Sequence, residues 1–391
     1  MMLQTLTTLL TLGSMASAAP RIVPSVKFHQ LLIGGPAQIL RAEFNGTAFE
    51  ITGKNVTAGT GPSWLRFKPS TKTLYAVDEN GSNLNQFTLD PMVKADPTYV
   101  SSTNGSSGVV FLEFNKDQTR MVGAAYGSAM LDVWDISAAA PKLLKQIAVD
   151  GPLGPTQTAH HPHQALLDPS GRFMVVPDLG GDQLLVIDTK DDKYEISSRV
   201  ALFAGAGPRH GGFIKAGDKT FYTVACELSS KVILYKLTYS GDNLDFKEVS
   251  TQSTYGANFP PANTTSAAAG ALTVANNNRD VYISNRLTGN ETDSISHFVF
   301  NSNGNITSLA FAGQFSSHGI LPRDISLSTD NGQNILFVAN QGGDNGLVAL
   351  HRCSVTGALA AKPIGVKALS ELIAPGLETQ ANVGPEFVQE I

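Results

Sequence analysis

The stretch "HQALLDPSGRFMVVPDLGGDQLLVID", residues 163–188, decides the fold of this chain. Short apolar runs in it alternate with turn sequences, as they do in a hairpin of antiparallel strands. Residues 168–171, Asp-Pro-Ser-Gly, form one predicted tight turn, because proline fixes φ and glycine permits a positive φ. The stretch therefore predicts two neighbouring strands and the turn between them.

The same pattern recurs along the chain and identifies a structural repeat. One position of the repeat, just beyond the second strand, is filled by Glu79, Tyr126, Leu179, Glu227, Arg286 and Gln341. These positions are 47 to 59 residues apart, which is the period of a four-stranded propeller blade. No window shows an apolar stripe at helical spacing over three turns, so we expect helices to be nearly absent.

A seventh unit is divided between the two ends of the chain. Residues 28–44 supply strands near the N-terminus, and residues 383–391 supply the missing strand. The fold class is therefore all-β: a seven-bladed β-propeller of four-stranded antiparallel blades, whose last blade is closed by N- and C-terminal strands. Residues 253–270 read as a loop over one face, since strands continue at the same period on both sides. We expect one propeller domain over residues 19–391.

The first residues are typical of a secretory signal peptide. An apolar stretch precedes Ala16-Ser17-Ala18, the small-x-small pattern that signal peptidase cuts, so residues 1–18 are the predicted signal peptide. A membrane anchor is the alternative, but the apolar residues 6–15 fall short of the roughly 20 needed to span a bilayer. We expect secretion to an extracellular or cell-wall location, without membrane insertion.

Sequons and cysteines fit an exported glycoprotein. Seven Asn-x-Ser/Thr sequons lie in polar, turn-like contexts: Asn45, Asn55, Asn80, Asn104, Asn263, Asn290 and Asn305. With two cysteines, Cys226 and Cys353, the chain has no disulfide framework and no cysteine-based zinc site. The two thiols either pair or stay free.

The charge of the chain argues against a nucleic-acid partner. Its formal net charge is −5, from 28 Lys+Arg and 33 Asp+Glu, and no basic cluster occurs. We expect a monomer that binds a small anionic lactone or carboxylate.

Four residues form a candidate catalytic constellation. The inner ends of propeller blades converge on a central channel, where residues distant in sequence meet. His163, Arg209, Glu227 and Arg286 are the candidates. Two guanidinium groups can hold a carboxylate or a developing oxyanion, while histidine moves a proton and glutamate orients it or acts as the base. The alternative is that both arginines form structural ion pairs with Glu227 between blades.

The histidines of "HHPH", residues 160–163, suggest a metal site at first. However, they lack a third ligand at a recognisable spacing, and His160 and His161 precede Pro162 in an expected exposed loop. We expect His163 alone to face the channel, with no metal and no cofactor.

Several segments together resemble a known family. "PHQALLDPSGRFMVVPDLGGDQLLVI", "GAGPRHGGF", "ACELSSKVILY", "YISNRLTG" and "GPEFV" are similar, in this order, to segments of the seven-bladed lactonase family. That family includes 6-phosphogluconolactonase and fungal carboxy-cis,cis-muconate cyclase. The resemblance covers nearly the whole mature chain, and it implies that His163, Arg209, Glu227 and Arg286 match the cyclase's functional set.

Two hypotheses for function follow. The first is a secreted, metal-independent lactone hydrolase or lactonising cycloisomerase that acts on an anionic small molecule in the central channel. The second is a noncatalytic glycosylated propeller at the cell surface or in the wall that serves in binding or adhesion, because one fold can host many functions.

Overall fold

Alternating apolar and polar runs fold as strands along the whole described chain. The structure, a computed structural model, describes residues 28–56, 61–303 and 306–391. Within these ranges the strands form seven four-stranded antiparallel sheets, which confirms the predicted propeller. The predicted signal peptide, residues 1–18, and the sequon asparagine Asn305 lie outside the described residues.

The blades are numbered in the order in which the chain enters them. Blade I begins with β1 (His29–Gly35), β2 (Gln38–Phe44) and β3 (Phe49–Asn55). Blade II contains β4 (Leu65–Lys68), β5 (Thr73–Val77), β6 (Asn83–Thr88) and β7 (Thr98–Asn104). Blade III contains β8 (Val109–Phe114), β9 (Arg120–Ala125), β10 (Met130–Asp135) and β11 (Lys142–Ala148). Blade IV contains β12 (Leu166–Leu167), β13 (Phe173–Asp178), β14 (Gln183–Asp188) and β15 (Glu195–Ala201).

The remaining blades follow the same plan. Blade V contains β16 (Pro208–Ala216), β17 (Lys219–Cys226), β18 (Lys231–Ser240) and β19 (Asn243–Ser253). Blade VI contains β20 (Ala268–Val274), β21 (Asp280–Arg286), β22 (Ser294–Asn303) and β23 (Ile306–Ser316). Blade VII contains β24 (Ile320–Leu327), β25 (Ile335–Gly342), β26 (Asn345–His351) and β27 (Gly365–Ala368), after which β28 (Phe387–Glu390) returns to blade I. Helical structure in the described ranges is limited to the 3₁₀ turns Pro69–Thr71, Lys190–Asp192 and Leu369–Glu371.

The C-terminal strand closes the ring as predicted. β28 pairs antiparallel with β1, from Gly34 opposite Phe387 to Leu31 opposite Glu390. The sheet order β28-β1-β2-β3 gives β28 the innermost position, which the first strand of each other blade occupies. His29 Nδ1 also lies 2.9 Å from Glu390 Oε1. The two chain ends are therefore joined within one sheet.

The hydrophobic core lies between the blades. Seven apolar clusters are formed by the described residues, one at each junction of neighbouring blades. Between blades IV and V, for example, Phe173 and Val175 share a cluster with Tyr222 and Val224. Burial of each such side chain stabilises the fold by about 1.5–3 kcal/mol. The stability of each blade thus depends on its neighbours.

The turn at residues 168–171 has the predicted geometry. Gly171 has φ of 78°, and its N–H donates to the Asp168 carbonyl oxygen over 2.9 Å. The Asp168 carboxylate accepts the Ser170 N–H at 2.9 Å and the Tyr239 hydroxyl at 2.7 Å. The turn therefore joins β12 to β13 and is also tied to the outer part of blade V.

The expectation of an exposed loop at His160 and His161 is wrong. His160 is buried, with Nδ1 2.7 Å from Asp178 Oδ2 and Nε2 3.2 Å from the Gly151 carbonyl oxygen. His161 is half-buried, because its ring stacks on Tyr126 with the centroids 4.1 Å apart. Both histidines hold the entrance of blade IV in place.

The predicted sequons occupy different environments. Five of the asparagines are exposed: Asn45, Asn80, Asn104, Asn263 and Asn290. Asn55 is half-buried, and its Nδ2 donates to the Pro97 carbonyl oxygen over 2.8 Å. A glycan on Asn55 would have to displace that hydrogen bond, so the exposed sequons are the better acceptors.

Three further features bear on the class of protein. Both cysteines are free, Cys226 buried and Cys353 half-buried. Residues 254–267 connect β19 to β20 without a strand of their own, so the predicted loop over residues 253–270 is shorter than expected, because Ser253 ends β19 and residues 268–270 begin β20. In the described part of the chain, no helix has the length and apolar character needed to cross a membrane.

Candidate active site

Several side chains that line the channel directly follow a proline in the sequence. His163, Arg209, Arg323 and Glu386 each follow a proline at or just before the innermost strand of a blade. At Arg209 and Arg323 the strand register shifts, so that each arginine is an extra residue in its strand. A β-bulge of this kind re-aims a side chain. Both guanidinium groups consequently point into the channel instead of continuing the regular alternation.

A second set of residues comes from the ends of the second strands. Tyr126 and Glu227 directly follow β9 and β17, Arg286 ends β21, and Glu79 lies two residues beyond β5. With residues from the innermost strands they surround a cavity of about 240 Å³, which we call the upper cavity. Its lining consists of Glu79, Val110, Tyr126, His163, Arg209, Glu227, Arg286 and Arg323. All four sequence-predicted site residues thus meet in one cavity.

Glu227 bridges two arginines in the upper cavity. Its Oε2 lies 2.8 Å from Arg209 Nε, and its Oε1 lies 3.0 Å from Arg286 Nη2. The ion pairs considered as the structural alternative are therefore present. They leave part of Arg209 unsatisfied, since its Nη1 is buried and has no hydrogen-bond partner among the described residues. Burial and the charge of Arg286 lower the pKa of Arg209 to about 9, against the opposing effect of Glu227.

Arg323 forms a matching bridge on the other side. Its Nη2 contacts Glu79, and its Nη1 lies 2.9 Å from Glu386 Oε1, which also accepts the Gln341 amide at 2.9 Å. Burial raises the pKa of Glu386 to about 7 although Arg323 opposes this. Burial is also the largest single influence on Glu79, but Arg323, Ser63 and Arg209 together outweigh it and lower the pKa of Glu79. The upper cavity is therefore flanked by two arginine–glutamate groups.

His163 lies between these groups and is held as a neutral base. The side chain is buried, and its Nδ1 has no hydrogen-bond partner in the part of the chain that the structure describes. Its ring meets Tyr126 and His210 edge to face, with centroids 5.6 and 5.0 Å away. Burial, followed by the charge of Arg209, lowers the pKa of His163 well below its ordinary value of 6.5. An uncharged imidazole at neutral pH can accept a proton.

Sequence reasoning missed four members of the site, namely Glu79, Tyr126, Arg323 and Glu386. Glu79 and Tyr126 occupy the repeat position that also identified Glu227. Arg323 follows Pro322 as Arg209 follows Pro208, and Glu386 follows Pro385 in the terminal "GPEFV". The proline-plus-one position was the signal that could have found both residues.

The acidic and imidazole groups do not assemble a metal centre in the described ranges. No group of three or more His, Cys, Asp or Glu side chains there is arranged to hold an ion. The arrangement instead offers three guanidinium groups, a neutral imidazole and carboxylates around one small cavity. Such a set can bind an anion and move a proton.

Comparison with known proteins identifies relatives of this chain. The curated relative "Probable 6-phosphogluconolactonase" of Arthroderma benhamiae is 31% identical over 250 residues, which span 61% of this chain and 61% of the relative. An uncharacterized protein of Staphylococcus saprophyticus is 28% identical over 295 residues, covering 73% of this chain and 79% of that one. The solved periplasmic gluconolactonase of Pseudomonas aeruginosa superposes with a TM-score of 0.73 at 22% identity, over 93% of this chain and 99% of that one.

The description "Lactonase, 7-bladed beta-propeller" belongs to a family model that matches residues 30–368, and these residues include His163, Arg209, Glu227 and Arg286. Because this match extends over all but the ends of the ring, the chain belongs to the seven-bladed β-propeller lactonase family.

Proposed function

We propose that this protein is a secreted, metal-independent enzyme that opens the ring of a small anionic lactone, or closes it in the cyclase direction, in the upper cavity. The observation that carries the proposal is the unsatisfied Nη1 of the buried Arg209, in a cavity that also holds an unpartnered His163 Nδ1. A buried guanidinium with a free N–H is costly unless a ligand oxygen completes its hydrogen bonds. An anionic substrate supplies that oxygen.

In the hydrolytic direction His163 acts as the general base. The neutral imidazole takes a proton from water while the water oxygen bonds to the lactone carbonyl carbon, and the carbonyl oxygen becomes an oxyanion beside Arg209. The ring C–O bond then breaks, and the departing oxygen takes the proton from the imidazolium. The product is a hydroxy acid, whose carboxyl group loses its proton to solvent, and the resulting carboxylate remains close to the arginines.

Glu227 and Arg286 have positioning and anchoring roles in this scheme. Glu227 holds both guanidinium groups through its two oxygens, so that they approach the substrate from fixed directions. Arg286 binds the carboxylate or phosphate of the substrate. In a cyclisation, a substrate carboxylate would add to a carbon–carbon double bond to close the ring, and the neighbouring carbon would take a proton from water, relayed by the His163 imidazole.

The test is a lactone and carboxylate panel assayed on purified wild type, His163→Gln and Glu227→Gln. Removal of the base or of the group that orients the arginines should lower kcat/KM by on the order of a hundredfold or more, with little change in Tm. His351→Gln and Glu195→Gln are matched controls, because both side chains are exposed and neither lines the upper cavity.

The outcomes separate the competing functions. Unchanged turnover in both site variants would exclude this mechanism. Loss of activity on chelation would contradict metal independence. If the panel stays inert while the intact propeller retains a macromolecule on its surface, a noncatalytic binding role would replace the proposal. N-terminal sequencing of protein from the culture medium tests cleavage after Ala18 and hence secretion.

A further inference from the structure

A second cavity lies at the opposite end of the channel. It has a volume of about 300 Å³ and is lined by other residues of the innermost strands, and we call it the lower cavity. Three aromatic rings, Trp64, Phe111 and Phe387, form part of its wall, and His210, Asp324 and Ser326 form a polar part. A volume of about 300 Å³ is at the lower limit of ordinary small-molecule pockets.

Side chains in contact separate the two cavities. The space between them measures about 10 Å³, and it is lined by both His163 of the upper cavity and His210 of the lower one. The rings of His163 and His210 are 5.0 Å apart, and those of Trp64 and His210 are 5.7 Å apart. A space of about 10 Å³ holds one water at most. The lower cavity is therefore a separate compartment and not a continuation of the upper cavity.

Asp324 is a buried carboxyl without a countercharge. Its side chain is 5% exposed, and its Oδ2 accepts the Val388 N–H at 3.1 Å. No basic side chain of the described residues lies within ion-pair distance of it, while Arg66, on the same cavity wall, is already bound to Glu113 at 2.6 Å. A buried carboxylate is costly without a paired cation. The missing positive charge can come from a ligand.

The rest of the wall suits the same kind of ligand. The Trp64 ring lies 4.3 Å from that of Phe111 and 4.9 Å from that of Phe387, so the three form one aromatic surface beside Asp324. Aromatic faces attract organic cations. His210 Nε2, Ser326 Oγ and Trp64 Nε1 are buried and have no hydrogen-bond partner among the described residues. The first two can accept hydrogen bonds from an ammonium group, and the indole N–H can donate to a ligand oxygen or a water.

We propose that the lower cavity binds a small organic amine, whose ammonium group pairs with Asp324 and whose apolar part lies on the rings of Trp64, Phe111 and Phe387. This site is independent of the proposed lactone chemistry, because none of these four residues lines the upper cavity.

Intrinsic fluorescence provides a direct assay, with benzylamine as the probe. The chain has two tryptophans, and Trp134 is 1% exposed in the core between blades II and III, so a ligand-induced change reports on Trp64. We expect a saturable change with benzylamine at a pH about one unit above the Asp324 pKa of about 7. Benzyl alcohol, which has the same ring without the charge, should bind on the order of tenfold more weakly.

Three variants locate the site. Asp324→Asn should weaken benzylamine binding on the order of tenfold or more, and Ser326→Leu, which fills part of the cavity and retains Asp324, should abolish it. Glu227→Gln, a carboxylate-to-amide change in the upper cavity, should leave binding unchanged. Equal binding of the alcohol, loss of binding in Glu227→Gln alone, retention in Ser326→Leu, or no saturable change in the wild type would each overturn the proposal.

Discussion

Arg323 contacts two carboxylates whose pKa values move in opposite directions. Glu79 lines the upper cavity, and although burial is the largest single influence on its pKa, Arg323, Ser63 and Arg209 together outweigh it and lower the pKa. At Glu386 burial outweighs the same arginine and raises the pKa to about 7. The balance between burial and neighbouring donors and charges therefore decides which carboxylate carries the charge, and near neutral pH the cavity retains more positive than negative groups.

The raised pKa of Asp324 predicts a pH dependence of stability that the substitution Asp324→Asn should reduce. Burial raises the pKa of this carboxyl to about 7 in the folded protein, so between about pH 4 and pH 7 the folded state holds a proton that the unfolded state lacks. The stabilising contribution is complete below the unfolded pKa and is lost as the pH rises through the folded one. Between about pH 4 and pH 8, the free energy of unfolding of the wild type should fall by on the order of 2–4 kcal/mol more than that of Asp324→Asn.

Chemical denaturation at a series of pH values measures this difference. Glu386 acts in the same direction, so Asp324→Asn should keep a smaller slope that Glu386→Gln then reduces further. A slope in Asp324→Asn equal to that of the wild type would show that Asp324 titrates at its ordinary pKa in the folded protein.

A site residue could be predicted from the sequence only where a local pattern marks it. Arg209, Glu227 and Arg286 could be predicted because a repeat position or a family motif marks them. Arg323 and Glu386 contact each other across the junction of blades VII and I, 63 residues apart in sequence, and no local pattern links them. His160 was misassigned because the burial of its ring depends on Asp178, 18 residues away in the same blade.

The innermost strands differ in kind from the strands outside them. β12 has only two residues, and β8, β16, β20 and β24 each carry a register shift near the channel end. Bulges bend a strand and redirect side chains. The register shifts that turn side chains into the two cavities therefore also interrupt the backbone hydrogen bonds between strands near the axis of the ring.

This difference explains which elements the sequence could predict. The second strands, such as β5 and β17, are buried on both faces and are therefore apolar runs in the sequence. The regular spacing of these runs identifies the repeat. The innermost strands contribute polar side chains to the channel and are interrupted by bulges and prolines, which obscures the period-two pattern. The exact bounds of these strands had to come from the structure.

β28 offers a test of ring closure at the level of one element. Val388 is fully buried in the cluster between blades I and VII, and Val388→Ala should lower the free energy of unfolding by about 1–3 kcal/mol through lost burial and the cavity left behind. Val355→Ala is the matched control, because this valine is 75% exposed and should change stability by less than about 0.5 kcal/mol. Equal denaturation midpoints for the two variants would show that β28 contributes little to the fold.

The molecule as a whole depends on contacts between blades. Each of the seven clusters joins one blade to the next, and blade I belongs to two of them. Removal of one contact surface therefore affects both neighbours. In the closed ring every blade is stabilised by two neighbouring blades, whereas an opened ring would expose the inner edge of β1.

Truncation after Glu386 should convert the protein to self-associating species. Without residues 387–391, the backbone N–H and C=O groups of β1 that pair with β28 are unpaired at the channel, and the contact that β28 makes between blades I and VII is lost. A ring that opens at this junction exposes the edge of β1, and an exposed strand edge promotes association. Light scattering after size exclusion should show oligomers for the truncated chain and a monomer for the full one. A peptide of residues 383–391 added in trans should restore the monomer, and a truncated chain that stays monomeric with an unchanged Tm would contradict the role of closure.

The pairing of β28 with β1 also sets the order of events during biosynthesis. The inner neighbour of β1, β28, begins 352 residues after β1 ends (387 − 35) and is therefore translated much later than β1. At a synthesis rate of roughly 5–20 residues per second, the first blade waits on the order of 20–70 s for its fourth strand. During that interval the nascent propeller has an open seam, so its residence time in this unfinished state is fixed by translation speed, and chaperones have their longest access to the N-terminal blade.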